Sequence, residues 1–317
     1  MKLLSLIVVL LLEQLRPLPV DQVVLGPLRT LAGALPKRGG EQLGWALLVA
    51  GGALVVALID SLLPGLLAAV FGILVLYLTL GFRHESHYFT NIHLSLRTQE
   101  LGCARELLTR WRGGQYDDAD ADEVARLAIE QALVSAHRCV FGAVFWFMVL
   151  GPCGAVMYRL ARFLHDEWGG GERRDEPPPV EAGVLGNFGR FSRQAFMLID
   201  WLPARMTAIL FAIGGNFEDA VFCWRAQSVL WPERGNAVLV CAGAGALGLK
   251  LGQGSVPAGE GAENRGAENQ GVENLEVGVG EKAGVGDMQA TVGLVWRALI
   301  VCLAVLALTT IAVVLGK

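Results

Sequence analysis

Of 317 residues, 53% are hydrophobic and only 18% charged, against roughly 25% charged in a soluble globular chain, which excludes an ordinary water-soluble enzyme composition. A formal net charge of -4 with scattered basic residues excludes a nucleic-acid partner, because a phosphate backbone needs clustered Lys and Arg. Six cysteines without a C-x-x-C spacing, mostly in apolar stretches, exclude a disulfide scaffold and fit small core hydrophobes.

Charge is also unevenly placed. Leu43 to Leu80 holds one charged residue, Asp60, and Cys139 to Tyr158 and Ala298 to Gly316 hold none. A span needs about 20 apolar residues at roughly 1.5 Å rise each, and these stretches approach that length. The expected fold class is therefore all-α: a polytopic helical protein of the lipid bilayer, with about 4 to 6 membrane-embedded helices plus amphipathic helices.

Residues 1–16 begin with an apolar run, Leu3 to Leu12, followed by Glu13-Gln14-Leu15-Arg16-Pro17 without a small-residue cleavage site. Ten residues are too few to cross lipid, so a short retained membrane-associated helix is expected. Residues 17–42, with Pro17, Pro19, Pro27, Pro36 and Lys37-Arg38-Gly39-Gly40, read as a linker. A transmembrane hairpin is expected over 43–80, turning at Asp60-Ser61 and Pro64-Gly65. Lys37, Arg38 and Arg83 flank it, so the positive-inside tendency places its outer ends in the cytoplasm.

Residues 81–138 are then expected as cytoplasmic amphipathic helices. Leu101, Ala104, Leu108 and Trp111 share one face, and Gly113-Gly114 ends that helix. The acidic run Asp117, Asp118, Asp120, Asp122 precedes a second helix near Val124 to Arg138, where carboxylates suit the amino end of the helix dipole. Membrane-embedded helices with polar loops are expected over 139–251: a span from Cys139 to Leu160 with a kink at Gly151-Pro152, an irregular loop over 165–190, a helix from Trp201 capped by Asp200, and an Ala/Gly-rich segment from Asn236 to Leu249. The Gly/Glu-rich stretch 252–290, with its repeated Gly-Ala/Val-Glu-Asn, reads as disordered. The region 291–317 supplies a terminal span between Arg297 and Lys317.

No Walker loop, dinucleotide fingerprint, serine elbow or zinc-protease pattern occurs, and no cofactor or metal is identified. His84, Glu85, His87 and His93 form the only histidine cluster, with Arg83 unfavourable for a cation. Gly243-Ala-Gly-Ala-Leu-Gly reads as helix packing, because small residues let backbones approach in lipid. Arg205, one turn inside an apolar helix, must pair, face the bundle interior or snorkel, with Asp200, Glu218 and Asp219 as partners. His137-Arg138 and His165-Asp166 after Arg162 read either as a polar rim or as substrate contacts.

Several segments together resemble the CobD/CbiB family of cobalamin biosynthesis, the adenosylcobinamide-phosphate synthases. They are Glu123 to Glu130, Phe145-Trp-Phe147, Gly151-Pro-Cys-Gly-Ala-Val-Met-Tyr-Arg159, Asp200-Trp-Leu-Pro-Ala-Arg-Met-Thr-Ala208, Gly235-Asn236-Ala237 and Ala242 to Gly252. The resemblance implies a multi-spanning inner-membrane protein that joins an aminopropanol-type amine to a corrinoid carboxylate. It makes Glu130 and Asp200 the catalytic candidates, and Arg205, Asn236 and Arg159 the substrate-binding candidates. The family's acidic Asp-Pro-His-Pro element is absent near the amino terminus, where Leu11-Leu-Glu-Gln-Leu-Arg-Pro17 stands. Its polar elements are replaced by Leu133-Val-Ser-Ala-His-Arg138 and Leu160-Ala-Arg-Phe-Leu-His-Asp166; such losses can abolish ligase activity while sparing the scaffold. Leu10 to Leu15, the histidine segment after the hairpin, and Phe145-Trp146 are also similar to AmpE. That second resemblance implies a non-enzymatic inner-membrane role in cell-wall stress sensing and β-lactamase regulation.

Overall fold

A computed structural model describes residues 2–15, 25–34, 41–168, 182–228, 234–252 and 277–315. Among them the architecture is helical, with one two-residue strand pair. Four helical stretches are long and apolar enough to cross a membrane: Gln42–Leu62, Ala121–Leu150, Gly189–Gly214 and Asp287–Val313. The chain is thus an all-α, multi-pass membrane protein by the length and composition of its helices.

Helix α1 (Lys2–Leu15) buries Leu6 and Val9, and α2 (Leu25–Ala34) lies within the stretch expected to be a linker. Pro27 falls in its first turn, where a missing N–H costs no intrahelical bond, and Trp168 fixes the helix by donating to the Ala32 carbonyl at 3.2 Å. The hairpin forms as α3 (Glu41–Leu62) and α4 (Gly65–Thr79), broken at Pro64. Leu47, Leu54, Val55 and Leu58 on α3 stay exposed, the surface of a helix that faces hydrocarbon rather than water.

Amphipathic helices α5 (Phe82–Arg97) and α6 (Leu101–Arg112) follow, packed on each other. Next comes α7 (Ala121–Ala136), capped by Asp120, whose carboxylate accepts the Glu123 N–H at 2.7 Å with Asp122 and Glu123 in the positive first turn. The boundary expected at residue 138 does not exist as a chain break. A π-turn, His137–Phe141, passes α7 directly into α8 (Gly142–Leu150), giving one rod. This helix, expected as one of the cytoplasmic amphipathic helices, is enclosed from Val124 to Glu130. The kink anticipated at Gly151-Pro152 is a full reversal into α9 (Pro152–Trp168), because Gly151 adopts a φ of 78°.

Helix α10 (Ala182–Gly214) starts well before Trp201 and carries Pro203 in its interior. Asp200 is therefore not an amino-terminal cap, and Pro203 is not in a first turn. Part of the expected 165–190 loop lies outside the described residues. Helices α11 (Phe217–Gln227) and α12 (Arg234–Leu247) pack closely on each other. A Cβ on Gly245 would overlap the Asp219 carbonyl, so backbone approach explains the Ala/Gly segment. Strand β1 (Leu249–Lys250) pairs in parallel with β2 (Glu281–Lys282), and Leu251 bridges Val277 before α13 (Asp287–Leu315). Disorder expected through residue 290 is thus not found over 277–290; residues 253–276, with the repeat, lie outside the described residues.

Two apolar clusters result. One joins α5, α6, α7, α11, α12, the start of α13 and the end of α10. The other joins α1, α2, α3, α4, α8, α9 and Phe196 of α10, with Leu303 and Leu306 of α13 against it. The rods α7–α8, α10 and α13 run through both. Along the first rod the change falls over Ala136 to Phe141, where Cys139 and Val140 belong to the second cluster and Phe141 still to the first, and along α10 between Phe196 and Ala204. His137 and Asp200 occupy those two junctions.

Candidate functional site

At the junction, buried polar side chains replace apolar contacts. Asp200 accepts on Oδ1 from the Tyr158 hydroxyl and from His137 Nε2, each at 2.8 Å. His137 Nδ1 meets the Thr207 hydroxyl at 2.8 Å, and that hydroxyl donates to the Pro203 carbonyl at 3.0 Å. The pattern is a carboxylate held by an imidazole and a phenol, with a threonine hydroxyl on the far side of the imidazole. All four side chains are buried.

Local sequence places each partner. The π-turn adds a residue to the helical repeat and rotates His137 toward α10. Gly142, one turn on, makes room for the Tyr158 ring, which a Cβ there would overlap. Without that space the phenol could not reach from α9 to Asp200. Buried ionisable groups in a membrane rod are costly unless paired, so they mark functional sites by default.

Positive charge gathers beside this group. Arg138 donates from Nη2 to Asn236 Oδ1 at 3.1 Å and lies 6.0 Å from the Phe196 ring centre. Arg162 donates to Cys139 Sγ at 3.1 Å and pairs with Asp166 at 3.6 Å. Arg159 points toward Gly81, where an added Cβ would meet its guanidinium at 3.8 Å. Arg138 and Arg162 both act electrostatically on Tyr158, and Arg159 and Arg162 both act on Cys139, so the guanidinium groups share one neighbourhood. In the last turn of α9, burial pushes the Asp166 carboxyl up, but the hydrogen bond from His165 and the charges of Arg162 and Arg138 outweigh it and hold it at about 2.

The five sequence candidates do not form a single site. Asp200 belongs to this layer and Asn236 adjoins it through Arg138, whereas Arg159 is linked to it only through the neighbourhood of Cys139. Glu130 does not. It accepts from Arg126 at 2.9 Å and Arg112 at 3.1 Å, and from the Gly252 N–H at 2.8 Å, sharing no partner with Asp200. Both carboxylate oxygens are thereby engaged, which suits a structural clamp rather than a proton acceptor. Arg205 is also elsewhere: it lies 3.9 Å over the Trp201 ring and donates to that residue's carbonyl, meeting neither Asp200, Glu218 nor Asp219. A guanidinium stacked on an exposed indole is a boundary anchor.

Tyr158 and Thr207 were not legible as site residues. Tyr158 sits inside an apolar run, and its phenol acquires a role only through Asp200, 42 residues away. Glu85 of the histidine cluster accepts from Trp111 Nε1 at 2.6 Å and from Ser135 Oγ at 2.9 Å. His87 contacts Asn91 on its own helix at 3.1 Å. Among the described residues no group of three or more His, Cys, Asp or Glu is arranged to hold a metal ion.

Comparison with known proteins follows the same lines. The sequence pattern of the family described as CobD/Cbib protein matches residues 28–282. A Stutzerimonas stutzeri protein named cobalamin biosynthesis protein CobD is 32% identical over 246 residues, covering 78% of this chain and 74% of the relative. A Chromobacterium violaceum protein of the same name is 31% identical, covering 70% of each. One from Brucella anthropi is 25% identical over 84% of this chain and 79% of its own. No solved structure matches the chain.

Proposed function

The chain belongs to the CobD/CbiB family, and on that premise we propose that it is a bacterial inner-membrane protein of cobalamin biosynthesis that joins an aminopropanol-type amine to a corrinoid carboxylate. The observation that carries this reading is the pair of guanidinium groups, Arg138 and Arg162, beside the buried Asp200–His137–Tyr158 group. Guanidinium groups bind carboxylate or phosphate through charge-assisted hydrogen bonds and stabilise the negative charge that builds on oxygen as an acyl carbon is attacked.

In amide formation the amine nitrogen gives up a proton, its electron pair bonds to the carboxyl carbon, and an oxygen leaving group departs. Asp200 is the group in this chain suited to the proton. Both of its hydrogen bonds fall on Oδ1, and His137 and Tyr158 hold the carboxylate in position. Tyr158 fixes the carboxylate plane. Asn236 orients Arg138 toward the layer. The carboxylate must be activated before attack, so the assay supplies the corrinoid in both forms.

Membranes containing the full chain are given a cobyric-acid substrate, activated or unactivated, with the amine, and extracts are analysed by chromatography and mass spectrometry. An amidated corrinoid is the expected product. Neither product nor corrinoid binding under either condition removes the enzymatic reading. It would leave the non-enzymatic AmpE-like role, in which deletion alters cell-wall-stress responses and leaves corrinoid intermediates unchanged.

A further inference from the structure

His137 reaches α10 from the α7–α8 rod and is held there at both ends of its ring. Nε2 meets Asp200 Oδ1 and Nδ1 meets Thr207 Oγ1, each at 2.8 Å. Asp200 and Thr207 stand on one helix, about two turns apart and so on one face. A single helix thus clasps the imidazole between two of its own side chains. The carboxylate is the proton acceptor of the proposed reaction, and the hydroxyl is its counterpart at the far end of the ring.

Local chemistry fixes where that hydroxyl stands. In a helix, threonine divides between two χ1 rotamers, and Oγ1 can then bond a carbonyl one turn back. The 3.0 Å contact with the Pro203 carbonyl, four residues earlier, shows Thr207 so bonded. Oγ1 is therefore pinned to the backbone of α10, and the imidazole is tied to Oγ1. One turn further along each rod, Phe141 meets Phe211 edge-on at 6.0 Å, and both rings are buried. Thr207 is 1% exposed and His137 0%. In so enclosed a place, a partner lost at Nδ1 is not made good by bulk water.

We infer that Thr207 is a positioning residue: it holds the His137 ring in the orientation that aims Nε2 at Asp200, and through that bond it keeps the carboxylate aligned. Its consequence for rate rests on the proposed amide-forming reaction. A ring tethered through Nε2 alone swings about its broad χ2 torsion, and the carboxylate loses a fixed neighbour. Rates fall steeply when a reacting group is misplaced. Substrate affinity is set elsewhere, at Arg138 and Arg162, whose hydrogen bonds go to Asn236 and Cys139.

Thr207→Val keeps the shape of the side chain and removes the hydroxyl; Thr207→Ser keeps the hydroxyl. The full-length chain, labelled with nitrogen-15 at histidine and reconstituted in lipid, is compared by NMR, with His137→Gln identifying the His137 signals among the five histidines. The Nδ1 resonance is expected to move in the valine variant and to stay in place in the serine one. In the amide-forming assay, Thr207→Val should lower kcat about tenfold or more with KM within about twofold, and Thr207→Ser should retain kcat. An unchanged Nδ1 resonance in Thr207→Val, a serine variant altered as much as the valine one, or a loss confined to KM would overturn the inference. If the wild-type chain forms no amide, the proposed reaction falls, and the resonance comparison alone decides whether Thr207 holds the ring.

Discussion

His137 and Asp200, 63 residues apart in the chain, meet Nε2 to Oδ1 at 2.8 Å with both side chains out of solvent. The pair joins the α7–α8 rod to α10 at the point where each passes from one apolar cluster to the other. Removing His137 leaves the buried Asp200 carboxylate short of a donor in a medium that cannot solvate it.

Replacement of His137 by Ala is expected to destabilise the fold by about 3–5 kcal/mol, the usual cost of breaking a buried pair. Tyr158→Phe keeps the ring volume and removes one bond to a charged acceptor, so about 1.5–3 kcal/mol is expected. Denaturant unfolding in detergent measures both. An equal loss from the two variants would contradict the pairing described.

Glu130→Ala is expected to be as damaging, about 3–5 kcal/mol, because Arg112 and Arg126 would be left facing each other. The same change should raise hydrogen exchange at the Gly252 amide, which Glu130 holds at 2.8 Å. A Glu130→Gln chain that is fully folded yet inactive would instead restore Glu130 to a catalytic role.

Among the arginines the expected effects divide by place. Arg162→Gln and Arg138→Gln should lower corrinoid affinity at least about tenfold, in keeping with loss of a charge-assisted bond. Arg205→Gln, which removes only the stacking on Trp201, should leave affinity within about twofold, a change of under 1 kcal/mol. Equilibrium binding to purified membranes distinguishes them.

The Asp166 carboxyl sits at about 2 against an ordinary 3.8. A depressed value means the ionised form is the stabilised one, so its contribution is complete above the unfolded value and disappears as pH falls through the folded one. The stability difference between wild type and Asp166→Asn should therefore be constant from pH 7 down to about 5 and shrink between about 4 and 2. Thermal melts across that range test it. A difference that grows on acidification would reverse the sign and reject the assignment.

Sequence by itself determined the helical membrane class, the hairpin broken at Pro64, the acidic start of α7 and the close packing at Gly245, because each depends on composition, period or a local turn residue. Asp200, Asn236 and Arg159 were reachable through family resemblance. Only the tertiary structure decided that α7 continues into α8, that residues 25–34 and 277–286 are ordered, and that Glu130 clamps Gly252 while Arg205 stacks on Trp201. The reason is physical: polarity along one segment reveals which face prefers water. A buried polar side chain is stabilised instead by partners such as His137 and Tyr158, 63 and 42 residues away from Asp200, and local periodicity carries no record of them.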